Sequence, residues 1–481
     1  MSKTVLHDGD EGVLLIVKGV KSKPTKSAKM AVVSRSPVHV VYGGAHLFKA
    51  DTAQKLGGIA LTSLATYAPN FVEFADAMWL KGCETLPRFE KGIADLEKQL
   101  RKDSESVRSE NYAAWFAWTV YHRTLEKLRI EPIEDFRIDF EDGYGFRTDA
   151  EEDGDAMASA HELADAYNKN ICTHFSGFRI KSFAKETRKR AVRTLKLFLD
   201  TFLKATKKEL PDNFVVTLPK VTDKKEVADL CRHLKKIEKD GGLKEGVIKI
   251  EIMIEHPLAI IGKKGNLTTR SIVDAASGRC TSVHFGAFDY TASLGIAASH
   301  QHLRHDACNF ARQIMLIALS PIGIRLSDSV TTQMPVPIHK AAKLSEAQIA
   351  ENKRSDISGW RMHFTNVTHS MIDGFYQSWD LHPNQLVARY AAVYAFFLEA
   401  AKEQGSRLRS FVEKSTRANL TGNAFDDAAT ARGFINFFVR GLDCGALQEN
   451  EVVELTGLSI KELRSASPNR KGRRLIKRRP L

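Results

Sequence analysis

Short β-type runs and longer helical segments alternate along most of this 481-residue chain. Several of the runs alternate apolar with polar side chains, which is the two-residue period of a β-strand. Each is followed by a segment with helical periodicity, and no two are joined as a hairpin. The predicted strands are 38–41, 136–141, 176–181, 214–218, 247–255, 281–287, 322–326 and 376–381. The predicted helices are 49–66, 71–80, 87–128, 149–169, 185–207, 223–239, 268–277, 305–319, 345–371 and 384–402.

Eight strand–helix units in succession favour an α/β protein with a closed (β/α)8 TIM barrel over an open doubly wound sheet. No glycine-rich dinucleotide-binding motif follows any predicted strand, which argues against a Rossmann fold. We therefore expect a barrel catalytic domain at 37–402 that carries a helical insertion at 70–130. An N-terminal arm (1–36), a C-terminal helical extension (403–467) and a basic tail (468–481) complete the predicted organisation.

Composition indicates a soluble cytoplasmic protein. Hydrophobic residues make up 43% and charged residues 27% of the chain, and no apolar run approaches the ~20 residues that a membrane-spanning helix needs. The first residues, MSKTVLHDGDEGVLL, place acids where a secretory signal has its apolar core. The six cysteines are scattered without a CxxC pair, as is usual for reduced thiols.

The net charge is +13, and the tail PNRKGRRLIKRRPL contributes seven basic residues and no acid. Like charges near a chain end repel one another and stay solvated, so we expect a solvated tail rather than a binding site. The charge that remains is ordinary for a chain of this length. Nucleic acid is therefore an unlikely partner, and no membrane partner is expected.

The stretch FRIDFEDGYG, which starts at Phe136, ends a predicted strand in a cluster of carboxylates followed at once by glycines. Acids gathered in this way are costly unless a cation meets them, and a divalent metal or a substrate-binding arginine would serve. The alternative is an ordinary turn, since Asp and Gly are common turn residues. The stretch alone leaves both interpretations open.

Charged residues, including the acids of this stretch, fall at most of the predicted strand ends, where the sites of such barrels lie. They are His46, Asp139, Glu141, Asp142, Arg179, Lys181, Lys220, Glu255, Asp289 and His382. Glu255 and Asp289 follow neighbouring strands inside otherwise apolar runs, and two carboxylates with room for water suit Mg²⁺ better than zinc. Glu251 lies four residues before Glu255 on the same face and about 13 Å deeper, so we expect it to be structural.

The motifs DFED, FRIK, TLPK, IMIEHP and HFGAFDYTASLG occur in this order between residues 139 and 295. Together they resemble those of the citrate lyase β-subunit, malyl-CoA lyase and hydroxy-keto-acid aldolase superfamily, over roughly residues 36–400. The resemblance implies a Mg²⁺-dependent (or Mn²⁺-dependent) lyase or aldolase that makes or breaks a C–C bond through a metal-stabilised enolate. It also implies a homo-oligomer, a trimer or hexamer.

The resemblance assigns roles to residues through the matching motifs. Glu255 and Asp289 would bind the metal, and Arg179 would hold the oxygen that becomes the enolate. Glu141 and Asp142 would hold metal-bound waters, and Lys220 would line the mouth. His46, in the first strand-end loop, is a candidate for substrate contact or general base.

Three departures point to a poorly characterised branch. Asp142 stands where the pyruvate aldolases have a histidine base, and His256 stands where the acyl-CoA enzymes have Thr or Ser. The first strand ends in Tyr42-Gly43-Gly44 instead of a Pro-Gly turn. The sequence therefore does not distinguish among a hydroxyacid, a keto acid and a CoA thioester as the substrate.

Two other functions remain open. One is a malate-synthase-like Claisen condensation, whose base would be an aspartate near the C-terminus, with Asp426, Asp427 and Asp443 as candidates. The other is a non-catalytic barrel that binds an anionic partner through its basic tail. A zinc site at His300, His302 and His305 is disfavoured, because only the last two would share a helix face.

Overall fold

The computed structural model describes residues 35–413, 419–421, 424–426 and 428–466. Packing divides the chain into a larger unit, Pro37–Ala392, and a smaller unit made of Met1–Ser36 and Val393–Leu481. The predicted basic tail lies outside the described residues, and so does the predicted N-terminal arm apart from residues 35 and 36.

The larger unit is a closed barrel of eight parallel strands, which confirms the predicted (β/α)8 fold. Each strand pairs with the next along the chain, and the last pairs with the first to close the barrel. The strands are β1 His39–Gly44, β2 Asp135–Asp139, β3 Phe175–Arg179, β4 Phe214–Leu218, β5 Lys249–Ile254, β6 Cys280–Phe285, β7 Arg325–Val330 and β8 Gln377–Asp380.

Helices follow the strands and cover the outside of the barrel. Those up to the fourth strand are α1 Thr52–Tyr67, α2 Phe71–Met78, α3 Glu90–Lys102, α4 Ser104–Glu110, α5 Tyr112–Ile130, α6 Asp149–Asn168 and α7 Arg188–Ala205. The later ones are α8 Lys224–Gly241, α9 Thr269–Asp274, α10 Ala287–Ser293, α11 Asp306–Leu319, α12 Glu346–Ile372 and α13 Gln385–Glu413.

The prediction of one continuous helix over 87–128 is wrong, because the segment forms three helices, α3, α4 and α5. Two side chains divide it. The Asp103 carboxylate accepts the Ser106 N–H, and the Asn111 side chain accepts the Ala114 N–H. Each therefore starts a new helix, since short polar side chains compete for backbone donors and favour the N-cap position.

The seventh strand is displaced from its predicted position at 322–326. Residues Ser320–Ile322 form a 3₁₀ turn that ends at Gly323, whose φ of +74° suits glycine. The strand that follows, RLSDSV, is polar in sequence but buried, with only Arg325 partly exposed. A prediction based on apolar residues misses it because its polar side chains face other polar groups.

Alternating residues of β2 face the barrel interior and carry charge. Arg137 is fully buried, forms an ion pair with Asp135 and donates to Glu251 Oε2 at 3.0 Å. The Glu251 carboxylate also accepts the hydroxyls of Thr217 and Ser282 at 2.8 and 2.6 Å. Glu251 is thus an interior residue, and the cluster is costly unless every member is paired. An apolar layer of Val40, Met253, Val330 and Trp379 also lies in the core.

The described part of the smaller unit is helical, apart from one hairpin. The C-terminal part of α13 is followed by strands β9 Asn419–Thr421 and β10 Ala424–Asp426, which pair antiparallel. Helices α14 Ala428–Asp443, α15 Glu449–Thr456 and α16 Ile460–Ala466 complete the unit. Of all the helices in the described ranges, none is long and apolar enough to cross a membrane.

Candidate active site at the barrel mouth

Strand register brings charged residues together at the C-terminal end of the barrel. Gly44 lies opposite Asp139, Asp139 lies opposite Arg179, and Arg179 lies opposite Thr217. Asp139 and Arg179 are both buried, so their opposite charges meet with little water around them. The carboxyl ends of β2, β3, β4 and β5 therefore form the floor of one site.

The Arg179 guanidinium holds Asp139 with two hydrogen bonds. Its Nε and Nη2 donate to the two carboxylate oxygens at 2.6 Å each. The same oxygens accept the backbone N–H groups of Glu141 and Gly143 at 3.0 and 2.7 Å. A Cβ at Gly143 would lie 2.7 Å from Asp139 Oδ2, so the turn closes on the carboxylate only with glycine there.

The remaining terminal nitrogen of Arg179 points toward the predicted acids. Nη1 lies 3.1 Å from Glu141 and 3.8 Å from Asp142. The Lys220 ammonium reaches the same two carboxylates, at 2.5 and 2.8 Å. Burial raises the pKa of Glu141, whereas hydrogen bonds to Glu141 and Lys220 lower the pKa of Asp142 against its own burial.

Lys220 contributes through its backbone as well. Its φ of +53° is left-handed, which for a residue other than glycine costs on the order of 1–3 kcal/mol and is often found at functional sites. In this conformation its N–H donates to Glu255 Oε2 at 2.7 Å. The two carboxylates raise the pKa of the ammonium despite burial, so Lys220 stays charged and cannot act as an amine nucleophile.

Glu255 follows β5 and is 3% exposed. Burial raises its pKa to about 8, with further increases from Asp289 and Glu141 that the Arg179 charge only partly opposes. A Cβ at Gly286 would lie 2.5 Å from Glu255 Oε1, so this glycine leaves room for the carboxylate. The carboxyl is thus held in place without a side-chain cation of its own.

Asp289 lies in the first turn of α10, and burial together with the charge of Asp142 raises its pKa. Its carboxylate makes no hydrogen bond or ion pair with any residue that the structure describes. Among the described residues, no group of three or more His, Cys, Asp or Glu side chains is spaced to hold a metal. Two carboxylates nevertheless suffice for Mg²⁺, which keeps several waters and takes further oxygens from its substrate. Glu255 and Asp289 therefore fit this ion.

The structure does not bring His46 against these carboxylates. It lies in the 3₁₀ turn Ala45–Leu47, with its ring 5.5 Å from that of Tyr144. Its Nδ1 is buried and has no hydrogen-bond partner among the residues that the structure describes. His382 also contributes to a loop, since its Nδ1 accepts the Asn384 N–H at 3.2 Å. Lys181 binds the Phe140 carbonyl and Glu152 instead of pointing into the mouth.

Sequence reasoning overlooked Tyr42 as a site residue. Its ring lies under the Arg179 guanidinium, with the central carbon 4.8 Å from the ring centroid. The two-residue alternation of β1 could have identified it, because Val40 faces the interior and Tyr42 must then do so at the mouth. The histidines at 300, 302 and 305 do not form a site either, although two of the rings lie 5.7 Å apart.

Comparison with solved structures shows the same fold at low sequence identity. A citrate lyase from Burkholderia xenovorans LB400 has a TM-score of 0.50 and 17% identity, over 70% of this chain and 92% of its own. A malate synthase from Haloferax volcanii has a TM-score of 0.41 and 14% identity, over 69% of this chain and 89% of its own. These similarities concern the fold alone.

Comparison with curated proteins finds no match. A family model described as "Domain of unknown function (DUF6986)" matches residues 29–471. This match spans the barrel and most of the residues that follow it, so the chain belongs to the DUF6986 family.

Proposed function

We propose that this protein is a Mg²⁺-dependent enzyme that makes or breaks a carbon–carbon bond through an enolate. The observation that carries the proposal is geometric. Carboxylates from the ends of three strands lie within the influence of the Arg179 charge at the barrel mouth, with Asp139 at the end of β2, Glu141 and Asp142 just after it, Glu255 after β5 and Asp289 after β6. The structural similarity to a citrate lyase is in keeping with this chemistry.

Among the described residues, five carboxyl groups at the mouth share two cations, Arg179 and Lys220. Burial raises the pKa values of Glu255 and Asp289, so a bound cation would favour the ionised form of both. The two acids that lack a side-chain cation are Glu255 and Asp289, and we assign Mg²⁺ to them, with Mn²⁺ as an equivalent. A bound Mg²⁺ supplies a Lewis acid for the oxygen of the substrate carbonyl.

The chain's own residues would bind and orient the substrate. Arg179 Nη1 is the guanidinium nitrogen not committed to Asp139, so it can donate to an oxygen that becomes negative as the enolate forms. Lys220 fixes Glu141 and Asp142, whose oxygens we assign to the waters around the metal. His46 remains a candidate base. A substrate would contact it by extending toward the first strand-end loop.

The substrate class that fits is a hydroxyacid, a keto acid or a CoA thioester, since each has a carbonyl or carboxyl that a metal and a guanidinium grip together. A Claisen condensation would use the same enolate with a different electrophile, and no contact in the structure favours it. Of its candidate bases, Asp443 is bound by Arg464 at 2.7 Å. Asp427 lies outside the described residues, as does the Asp426 side chain.

Calorimetry with Mg²⁺ tests the metal site. We expect one site per chain, strengthened by an oxyacid such as pyruvate or oxalate, and lost in Glu255→Gln and in Asp289→Asn. Asp274→Asn is the matched control, because Asp274 is an exposed acid paired with Arg270 on α9. Wild-type Mg²⁺ binding by both site variants would refute the assignment.

Turnover is tested with a panel of hydroxyacids, keto acids and acyl-CoA thioesters, each with and without Mg²⁺. We expect C–C cleavage or condensation with at least one class, abolished by chelation of the metal. Metal binding without turnover of any compound would favour the non-catalytic alternative. In that case, salt-sensitive RNA binding that is lost on deletion of residues 468–481 would identify the tail as its site.

A further inference from the structure

Tyr42 joins the charged interior of the barrel to the mouth. One face of its ring lies under the Arg179 guanidinium, 4.8 Å from the central carbon. Its ring also packs against Trp379, with 4.8 Å between centroids and 38° between planes. The aromatic side chain therefore fills the space directly beneath the arginine, where water would otherwise solvate the guanidinium.

The other end of Tyr42 is fixed by two hydrogen-bond contacts. The hydroxyl donates to Glu251 Oε1 at 3.1 Å and lies 3.0 Å from His284 Nδ1. Glu251 is itself held by Arg137, so the phenol is bound to the most constrained group of the interior. Burial and the charge of Glu251 raise the phenol pKa well above its usual value, and the hydroxyl stays a donor.

Arg179 is thereby held by two contacts. Asp139 binds the edge formed by Nε and Nη2, and the Tyr42 ring centroid lies 4.8 Å from the central guanidinium carbon. A shift of the guanidinium would disturb both contacts. Nη1 is left at the mouth beside Glu141, with Met253 Sδ 3.7 Å away.

We propose that Tyr42 is a positioning residue that fixes the plane of the Arg179 guanidinium and directs Nη1 toward the substrate oxygen. The proposal rests on the proposed function, because it assigns Nη1 to substrate. It predicts that loss of the Tyr42 ring weakens substrate binding because Arg179 is displaced, and not because packing alone is lost. The hydroxyl matters less, since it anchors the ring but does not touch the arginine.

Oxalate is the probe, because this planar dianion presents two oxygens to a metal and a guanidinium as an enolate carboxylate does. Its Mg²⁺-dependent binding is measured by calorimetry for Tyr42→Leu, which removes the ring, and for Tyr42→Phe, which keeps it. A desolvated cation–π contact corresponds to roughly a thirtyfold change in affinity. We expect Tyr42→Leu to weaken oxalate binding by about tenfold to thirtyfold, and Tyr42→Phe by about threefold, with Mg²⁺ binding unchanged.

Two controls separate positioning from packing. Val40→Ala removes a buried side chain from the neighbouring interior layer without touching Arg179, so it should lower the melting temperature and leave oxalate binding unchanged. In an Arg179→Lys background, Tyr42→Leu should weaken oxalate binding no further, because the group that it positions is gone.

The result that would overturn the inference is equal weakening by Tyr42→Leu in the wild-type and Arg179→Lys backgrounds. Equal weakening by Tyr42→Leu and Val40→Ala would overturn it as well. Failure of the proposed function looks different, because the wild-type protein would then bind neither Mg²⁺ nor oxalate.

Discussion

Replacement of Arg179 by lysine separates its structural role from its proposed catalytic role. The substitution keeps the positive charge but removes the planar fork that binds two oxygens at once. In the structure this fork holds both Asp139 oxygens at 2.6 Å, while Nη1 lies 3.1 Å from Glu141. A single ammonium cannot span the two Asp139 oxygens and also reach the mouth.

Two magnitudes follow from these contacts. A hydrogen bond to a charged group contributes about 1.5–3 kcal/mol, and lysine can retain one of the two bonds to Asp139, so we expect to lose about 2–3 kcal/mol of unfolding free energy. Loss of a donor to a developing oxyanion costs ~10²–10³ in kcat. The first effect is on stability and the second on turnover per folded molecule, so they are measured independently.

Asp139→Asn is the matched control, because it breaks the same ion pair from the carboxylate side and keeps the guanidinium. We expect similar drops in melting temperature for the two variants, both with Mg²⁺ bound. Arg179→Lys should lose at least about a hundredfold in turnover per folded molecule, and Asp139→Asn should lose less, because its guanidinium and the Nη1 donor remain. A lowered melting temperature with nearly unchanged turnover in Arg179→Lys would show that the arginine is structural and would refute the enolate assignment.

Two further predictions concern pH and the tail. Burial raises the pKa of Asp356 from 3.8 to about 6, and neither of its carboxylate oxygens has a hydrogen-bond partner among the described residues. The native state therefore holds this proton more tightly than the unfolded state, and the stability it gives is complete below about pH 4 and lost as pH rises through 6. Asp356→Asn, which stays neutral, should gain up to about 3 kcal/mol over wild type at pH 7.5 and nothing at pH 4 in urea unfolding. Equal effects at both pH values would contradict this. Deletion of residues 468–481 should leave the melting temperature and any turnover unchanged, since seven like charges near a terminus stay solvated; a large drop would show that the tail is docked.

The barrel could be predicted because its strands alternate with helices and because every helix must cover a strand face. Phe136 and Ile138 of β2, and Phe140 just after it, illustrate this. Phe136 and Ile138 line a small cavity together with Leu163 of α6, and Phe140 packs against Phe178 and α7. The regular spacing of these apolar residues is visible in the sequence. The polar strand β7 lacks it, and its predicted position was wrong.

Much of the mouth could also be predicted, since residues at strand ends meet in space. The structure brings Arg179, Glu141, Asp142 and Lys220 together, and the pKa of Glu255 responds to Asp289. Distances between strands depend on register, which the sequence does not state. The sequence offers Asp139, Glu141 and Asp142 alike as partners for Arg179, and the structure shows that Asp139 accepts the double hydrogen bond. The contact with Tyr42 became visible only in the structure.

One departure from the resembling family has a physical explanation. His256 stands where the acyl-CoA branch has Thr or Ser, and its Nδ1 accepts the Leu258 N–H at 3.1 Å at the start of a 3₁₀ turn. This is the capping role that Thr or Ser would fill. His256 thus caps the turn that follows Glu255.

The barrel architecture explains why its charged residues are informative. Helices pack on the outer face of each strand, so a charged residue within a strand has only the interior to occupy, and there it must be paired. Asp135, Arg137 and Glu251 satisfy one another deep in the barrel, and Asp139 is satisfied by Arg179 one layer higher. Glu255 follows the same rule of position, but its one hydrogen bond within the described part of the chain is from the Lys220 backbone N–H. A buried carboxyl left without a cation, in a barrel that pairs the others so fully, is the physical basis for assigning the metal to it.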